Sequence, residues 1–288
     1  MKRLIVTGDD FGLSLPVNQA IEQAHCEGFL NTTSLMVGAP AAADAVERAR
    51  KLPGLKVGLH LAVARCRPTS PPHLISDLLD GYGDLSHDLV RAGFRFFFIP
   101  GIRKQLAIEI RAQFEAFRAT GLPLDHVNAH NHMHLHPTVF SLLLEIGKEF
   151  DLRAVRIPYE PPLLAWRVTH GRLISRLCLW VFLAPWILLM KWRLHKAYIN
   201  CNDYLFGLSD SSKMTRDTVQ RFIRQVPEGV TEIYFHPAVR NLPGERPHND
   251  PEACAMELDT LLSKEIYNEL NTGDIKLATF SEMVMQQP

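Results

Sequence analysis

Extended apolar runs alternate along the chain with stretches in which apolar residues return every three or four positions, the pattern of repeated βα units. Runs at 3–8, 33–38, 56–61, 125–130, 154–158, 203–206, 231–236 and 275–279 read as strands. Between them PVNQAIEQAHCEG, AAADAVERARKL, KQLAIEIRAQFEAFRATG, PTVFSLLLEIGKEF, SKMTRDTVQRFIRQV and PEACAMELDTLLSKEIYNEL carry helical spacing. Pro16 and Pro137 stand where a first turn tolerates proline, and Gly28 and Gly121 where helices stop. Seven or eight such units in 288 residues predict a single α/β domain, 1–288, folded as a TIM-like (β/α) barrel of parallel strands. An open doubly wound sheet is the alternative. No GxGxxG follows the first strand, so a dinucleotide site has no support.

Two stretches break the rhythm. Residues 64–102 are too long for an ordinary βα connection and end in an aromatic patch, Phe94, Phe96, Phe97 and Phe98; they read as a lid over the barrel mouth. Residues 161–202 read as a hydrophobic helical insertion that holds all four tryptophans, Trp166, Trp180, Trp186 and Trp192, and no acidic residue. Its apolar core, Leu177 to Met190, is 14 residues, short of the ~20 that cross a bilayer, and contains Pro185. The expectation is peripheral: 172–196 lies in a membrane interface, with indoles at headgroup depth and cations facing anionic lipid. A helical hairpin packed on the barrel, or a face buried in a homodimer, is the other reading.

Polar residues stop four of the apolar runs. Asp9 and Asp10 follow LIVTG, His60 follows KVGL, His130 closes the run around HVNA, and His236 follows TEIYF. Side chains at the carboxyl ends of parallel strands meet at one mouth. Alternation in a strand means that Asp9 and Asp10 cannot both point the same way, so one can ligate a cation while the other faces substrate. A cation there also relieves the repulsion between adjacent carboxylates. The plainer reading is that DDFG opens a turn or caps a helix.

HVNAHNHMHLHP places histidines at 126, 130, 132, 134 and 136, a density that points to metal binding, although a strand ending near 130 aims only the first few into the mouth. Asp10, His60 and His130, a carboxylate and two imidazoles from three strands, match a catalytic zinc site with one position open to water. Zn2+ is the expected ion, with Mg2+ and Mn2+ as alternatives. His236, followed by Pro237, suits a proton donor, while His25, His73, His87, His170, His195 and His248 read as ordinary satisfied histidines.

Equal numbers of basic and acidic residues, 31 of each, remove the electrostatic footprint of a nucleic-acid binder. The five cysteines form no CxxC pair and read as reduced and structural. MKRLIVTGDDFG is too short an apolar run for a secretory signal, so the expected location is cytoplasmic, peripheral at the inner face of the membrane.

TGDDFGLS, VGLHL, DHVNAHNHMHLHP and EIYFHPA, in this order over almost the whole chain, resemble the motifs of the YdjC-like carbohydrate deacetylases. RLIVTGDDFGLS, LMVGAPAAADAVERAR and RAQFEAFRATGLPLDHVNAH further resemble the hopanoid-biosynthesis-associated branch. The resemblance implies a (β/α) barrel that removes the acetyl group of an N-acetylated amino sugar. With the acid-free insertion the expected substrate is a glycosylated hopanoid, the alternatives being a soluble oligosaccharide such as chitobiose or a non-catalytic metal-binding peripheral membrane protein. It implies metal ligands at Asp10, His60 and His130, a general base at Asp9 and a general acid at His236. Arg156 would orient Asp9, contact the sugar, or form a structural ion pair, and His132 and His134 would line the sugar pocket or support the ligands. Many relatives read DSHHHVH where this chain reads NAHNHMH, so Asn128 and Asn131 alter the hydrogen bonding around the ligand histidine.

Overall fold

The computed structural model describes residues 1–240 and 250–283. Seven parallel strands make one curled sheet: β1 (Lys2–Phe11), β2 (Thr32–Leu35), β3 (Lys56–Leu61), β4 (Val127–Ala129), β5 (Tyr204–Phe206), β6 (Gly229–Phe235) and β7 (Ile275–Leu277). Their order is β4-β3-β2-β1-β6-β5, with β7 beside the first residues of β1. β1 is the hub, pairing with β2, β6 and β7. Its residues Leu4 to Phe11 are all buried, as expected of a strand covered on both faces.

Ten α-helices cover the sheet among the described residues: α1 (Leu15–Glu27), α2 (Ala42–Lys51), α3 (Leu89–Phe98), α4 (Pro100–Ala119), α5 (Pro137–Gly147), α6 (Pro162–Thr169), α7 (Leu173–Lys196), α8 (Arg216–Arg224), α9 (Pro251–Leu261) and α10 (Lys264–Thr272). Pro16 and Pro137 do fall in the first turns of α1 and α5, where a missing N–H costs nothing.

Of the expected barrel of seven or eight strands, seven parallel strands are present, and among the described residues the sheet curls without closing into a full barrel. The run expected at 154–158 contributes only single bridges, Val155 to Val127 and Ala154 to Asn200. The reason lies in its sequence. Pro158, Pro161 and Pro162 have no N–H to give a ladder. The Ile157 N–H is taken by the Asn202 side-chain oxygen at 2.7 Å, and the Asn202 amide returns a bond to the Ile157 carbonyl at 2.8 Å. A side chain thus replaces the missing strand pairing.

The 64–102 stretch contains two short 3-10 turns, Pro72–Leu74 and Ser76–Leu78, and then α3. In 161–202 the apolar run is the middle of one 24-residue helix, α7, which continues through Pro185. The length limit drawn from the 14-residue run is therefore corrected, because by length and composition alone α7 is enough to cross a membrane. One stripe of α7 is nonetheless packed on the protein: Arg176, Ile187, Met190 and Leu194 are buried. Trp186 donates its indole N–H to the Leu135 carbonyl at 2.8 Å, and Lys191 reaches the Asp203 carbonyl at 2.7 Å. Arg176 is bonded to Glu160 at 2.7 Å and Asp210 at 2.6 Å.

Removing one partner of such a buried ion cluster leaves carboxylates uncompensated in a medium that solvates them poorly. Arg176→Met is expected to lower the unfolding free energy by about 3–5 kcal/mol in denaturant titrations, more than the exposed pair-breaking change Arg111→Met.

Candidate active site

At the end of β1 the pairing with β2 slips between Gly8 and Phe11, and Asp10 takes a left-handed backbone with φ 64°. For a residue with a Cβ this conformation costs roughly 1–2 kcal/mol, least for Asp and Asn. It breaks the strand alternation, and the two aspartates turn to separate sets of partners. Asp10 Oδ1 lies 3.1 Å from His60 Nε2, near the end of β3, and 3.0 Å from His130 Nδ1, the first residue after β4. The ligand atoms of Asp10, His60 and His130 all lie within 4.8 Å of one another. Asp10 and His60 are buried, and the His130 side chain, 19% exposed, marks the open side.

Hydrogen bonds around His60 decide which of its nitrogens is bare. Ser34 donates its one hydroxyl proton to Asp9 Oδ1 at 2.8 Å, so it has none for His60. The Asn128 amide nitrogen also faces Asp9, at 3.0 Å, which turns its oxygen toward His60 Nδ1 at 2.6 Å. His60 Nδ1 therefore carries the proton, and Nε2 presents a lone pair. That lone pair is buried, has no hydrogen-bond partner, and sits beside the Asp10 carboxylate. With Nδ1 protonated, Nε2 and the carboxylate 3.1 Å away are held together only by a second proton or by a cation. Burial lowers the His60 imidazole, but Asp9 and Asp10 outweigh it and raise it above its ordinary value. The donor set of one carboxylate and two imidazoles fits a divalent ion.

Asp9 belongs to a second network. Arg156 grips it bidentately, Nη1 to Oδ2 and Nη2 to Oδ1 at 3.0 Å. Its Nε and Nη2 also donate to Glu232 on β6, whose Oε1 accepts from Thr7 at 2.6 Å as well. The guanidinium lies over the Tyr234 ring, 4.9 Å from its centroid. Burial alone would raise the Asp9 carboxyl, but Arg156, then His60 and His236, outweigh it and hold Asp9 well below the usual carboxylate range. Asp9 is ionised at every working pH.

His134 is fully buried, with Nε2 3.0 Å from the Arg156 carbonyl. Arg156 is likewise without solvent exposure. Both side chains are sealed from solvent: of the roles considered for Arg156 its contacts are those of a group that orients Asp9, and His134 lies against the backbone that carries Arg156. His132 lies nearer the surface, with Nε2 3.2 Å from the Tyr234 hydroxyl. Burial, and then the neighbouring cation Arg156, push the His134 imidazole down to about 3, so it stays neutral. His236 follows β6 directly and is half-buried. Its backbone N–H is fastened by Glu257 of α9 at 2.6 Å, and its Nδ1 lies 3.5 Å from the Ser211 hydroxyl. Its Nε2 makes no hydrogen bond among the described residues.

The YdjC-like protein family matches residues 3–272. This chain belongs to that family. A carbohydrate deacetylase of Brevibacillus brevis is 30% identical over 98% of this chain and 99% of its own length. One from Vibrio vulnificus is 30% identical over 98% and 96%. Among solved structures, a proposed cellobiose-phosphate cleavage protein of Enterococcus faecalis superposes with a TM-score of 0.76 at 22% identity, covering 99% of both chains. That likeness speaks to the fold.

Measured against the YdjC-like motifs, the structure draws Asp9, Asp10, His60, His130 and Arg156 into one connected centre, with His236 within electrostatic reach of Asp9. Glu232, Tyr234, Ser34 and Glu257 escaped the sequence reading. A signal existed for the first two: Glu232 and Tyr234 alternate along β6 and share a face, and His236 continues the same spacing just beyond the strand. A glutamate inside an apolar strand also requires a cation, and Arg156 was at hand.

Asn128→Ala is expected to weaken Zn2+ binding by roughly 10–100-fold in calorimetric titration, because His60 loses the partner that fixes its tautomer. For His134 the folded value, about 3, lies below the ordinary 6.5, so the unfolded chain takes up the proton first as pH falls. Its contribution to stability is complete above 6.5 and declines between 6.5 and about 3. Metal-free His134→Gln should accordingly lose roughly 2 kcal/mol less than the parent between pH 6.5 and pH 5 in denaturant titrations.

Proposed function

We propose that the chain is a metal-dependent N-deacetylase that hydrolyses the acetamide of an N-acetylglucosamine-type sugar carried on a glycosylated hopanoid lipid. The observation that carries the reaction is the bare His60 Nε2 facing the Asp10 carboxylate, next to an Asp9 held ionised by Arg156. The carbohydrate deacetylases to which the chain is similar support the substrate class.

A divalent cation on Asp10, His60 and His130 would supply Lewis-acid activation of the acetamide carbonyl and of water. Asp9 then accepts the proton of the attacking water. Its two oxygens are fixed by Arg156, Ser34 and Asn128, so it is oriented before substrate arrives. His236 gives a proton to the departing amine, leaving acetate and the free amino sugar. Glu257 holds the backbone of His236, which sets the ring at the end of β6.

The lipid part of the proposal rests on the acid-free segment 161–202 and on the exposed apolar side of α7, which suit a peripheral enzyme at the inner face of the cytoplasmic membrane. Asp9→Asn is expected to cut deacetylation by roughly 10²–10⁴-fold while the bound metal, counted by elemental analysis, is unchanged. Mass spectrometry of an N-acetylglucosaminyl hopanoid incubated with the Zn2+-loaded protein should show loss of one acetyl group. Turnover of chitobiose with the lipid untouched would overturn the lipid assignment and leave the deacetylase.

A further inference from the structure

The exposed side of α7 is not the only apolar surface near the site. α3 leaves Val90, Phe94, Phe97 and Phe98 exposed, the phenylalanines at 63%, 58% and 68%. They pack on one another and not into the core: Phe94 stacks on Phe98 at 6.1 Å, and Phe97 meets Phe98 edge-on at 4.9 Å. α7 leaves Ile174, Val181, Phe182, Leu188 and Trp192 exposed, with Phe182 at 80%. Clusters of this kind on a soluble surface mark contact sites.

Both helices flank the short segment that begins with His130. Phe96 and Phe97 of α3 lie 5.9 and 6.2 Å from the His136 ring. Trp186 of α7 bonds the carbonyl of Leu135, the residue before it. Both helices thus abut one strip of chain that leads into the Asp10, His60 and His130 cluster.

Charge tells what covers them. Residues 89–108 contain no acidic residue, as 161–202 contain none. Arg91, Arg103 and Lys104 beside α3, and Arg172 and Lys196 at the ends of α7, are exposed, with no carboxylate partner among the described residues. Lys196 lies instead over the ring of Trp192, 4.2 Å from its centroid. A twofold dimer through these faces would set acid-free, cationic segments against their own copies. An anionic leaflet offers the opposite charge together with an apolar layer beneath it.

We infer that α3 and α7 together form a two-armed docking surface for an anionic lipid bilayer, which brings the rim of the metal-ligand cluster against the headgroups. This takes up the peripheral contact proposed above for 172–196 and adds α3 as its second arm. It does not depend on which sugar is hydrolysed.

The full chain loaded with Zn2+ should sediment with vesicles of phosphatidylglycerol and phosphatidylcholine, and at least tenfold less with phosphatidylcholine alone or in high salt. Phe94→Ser/Phe97→Ser/Phe98→Ser and Val181→Ser/Phe182→Ser should each reduce binding to the anionic vesicles by tenfold or more. Both variants should keep the parent melting temperature and the parent activity on soluble chitobiose. A parent that stays in the supernatant would overturn the inference, as would loss of binding in the α7 variant alone. So would light scattering that shows a dimer which these substitutions dissolve. Failure of chitobiose turnover in every form, with vesicle binding intact, would instead count against the deacetylase reading.

Discussion

A guanidinium sealed from water is the constraint around which the structure is arranged. Arg156 has no solvent contact, and an unpaired charge in such a place is intolerable. Asp9 and Glu232 neutralise it from β1 and β6, Thr7 and Tyr234 complete its surroundings, and His134 holds its backbone from below. The same contacts determine the properties of Asp9. A carboxylate clamped on both oxygens is held in one orientation and stays ionised in the resting site, so one ion pair gives the site both its orientation and its resting charge state.

The Asp10, His60 and His130 cluster leans on this network through two uncharged residues. Ser34 and Asn128 each touch both Asp9 and His60, and their hydrogens are directed to Asp9. What remains for His60 is an acceptor, which leaves the opposite nitrogen bare. Asn128 performs this relay without placing a second negative charge beside Asp9. The strained backbone of Asp10 has a counterpart reason: an unbroken strand would have turned Asp10 away from both imidazoles.

The apolar runs marked β1, β3 and β6 well because those strands are buried along nearly their whole length. They misled at 154–158, where prolines and the Asn202 side chain replace a ladder, and a pattern of apolar residues cannot report which donors are missing. Asp10, His60 and His130 were legible because each ends a run. Arg156 was visible as a strand-end cation, but its burial was not, because that depends on Glu232 arriving from 76 residues away. The 24-residue extent of α7 was hidden for a simpler reason: polar residues at both ends of the apolar run are helix formers as well as charges.

β1 precedes the other described strands and is completed by partners both near and far along the sequence. Its neighbour β2 follows within about two dozen residues, but β6 and β7 are separated from it by most of the chain. Until then a strand buried on both faces in the finished protein has an open edge and bare apolar surface. Asp9 waits likewise, with Ser34 available early and Arg156 and Glu232 only late. Such long-range pairing makes folding slow and leaves nascent chains prone to stick together. The arrangement that makes β1 the hub of the finished sheet therefore also makes this a protein whose yield in the cell depends on how well its unfinished chain is shielded.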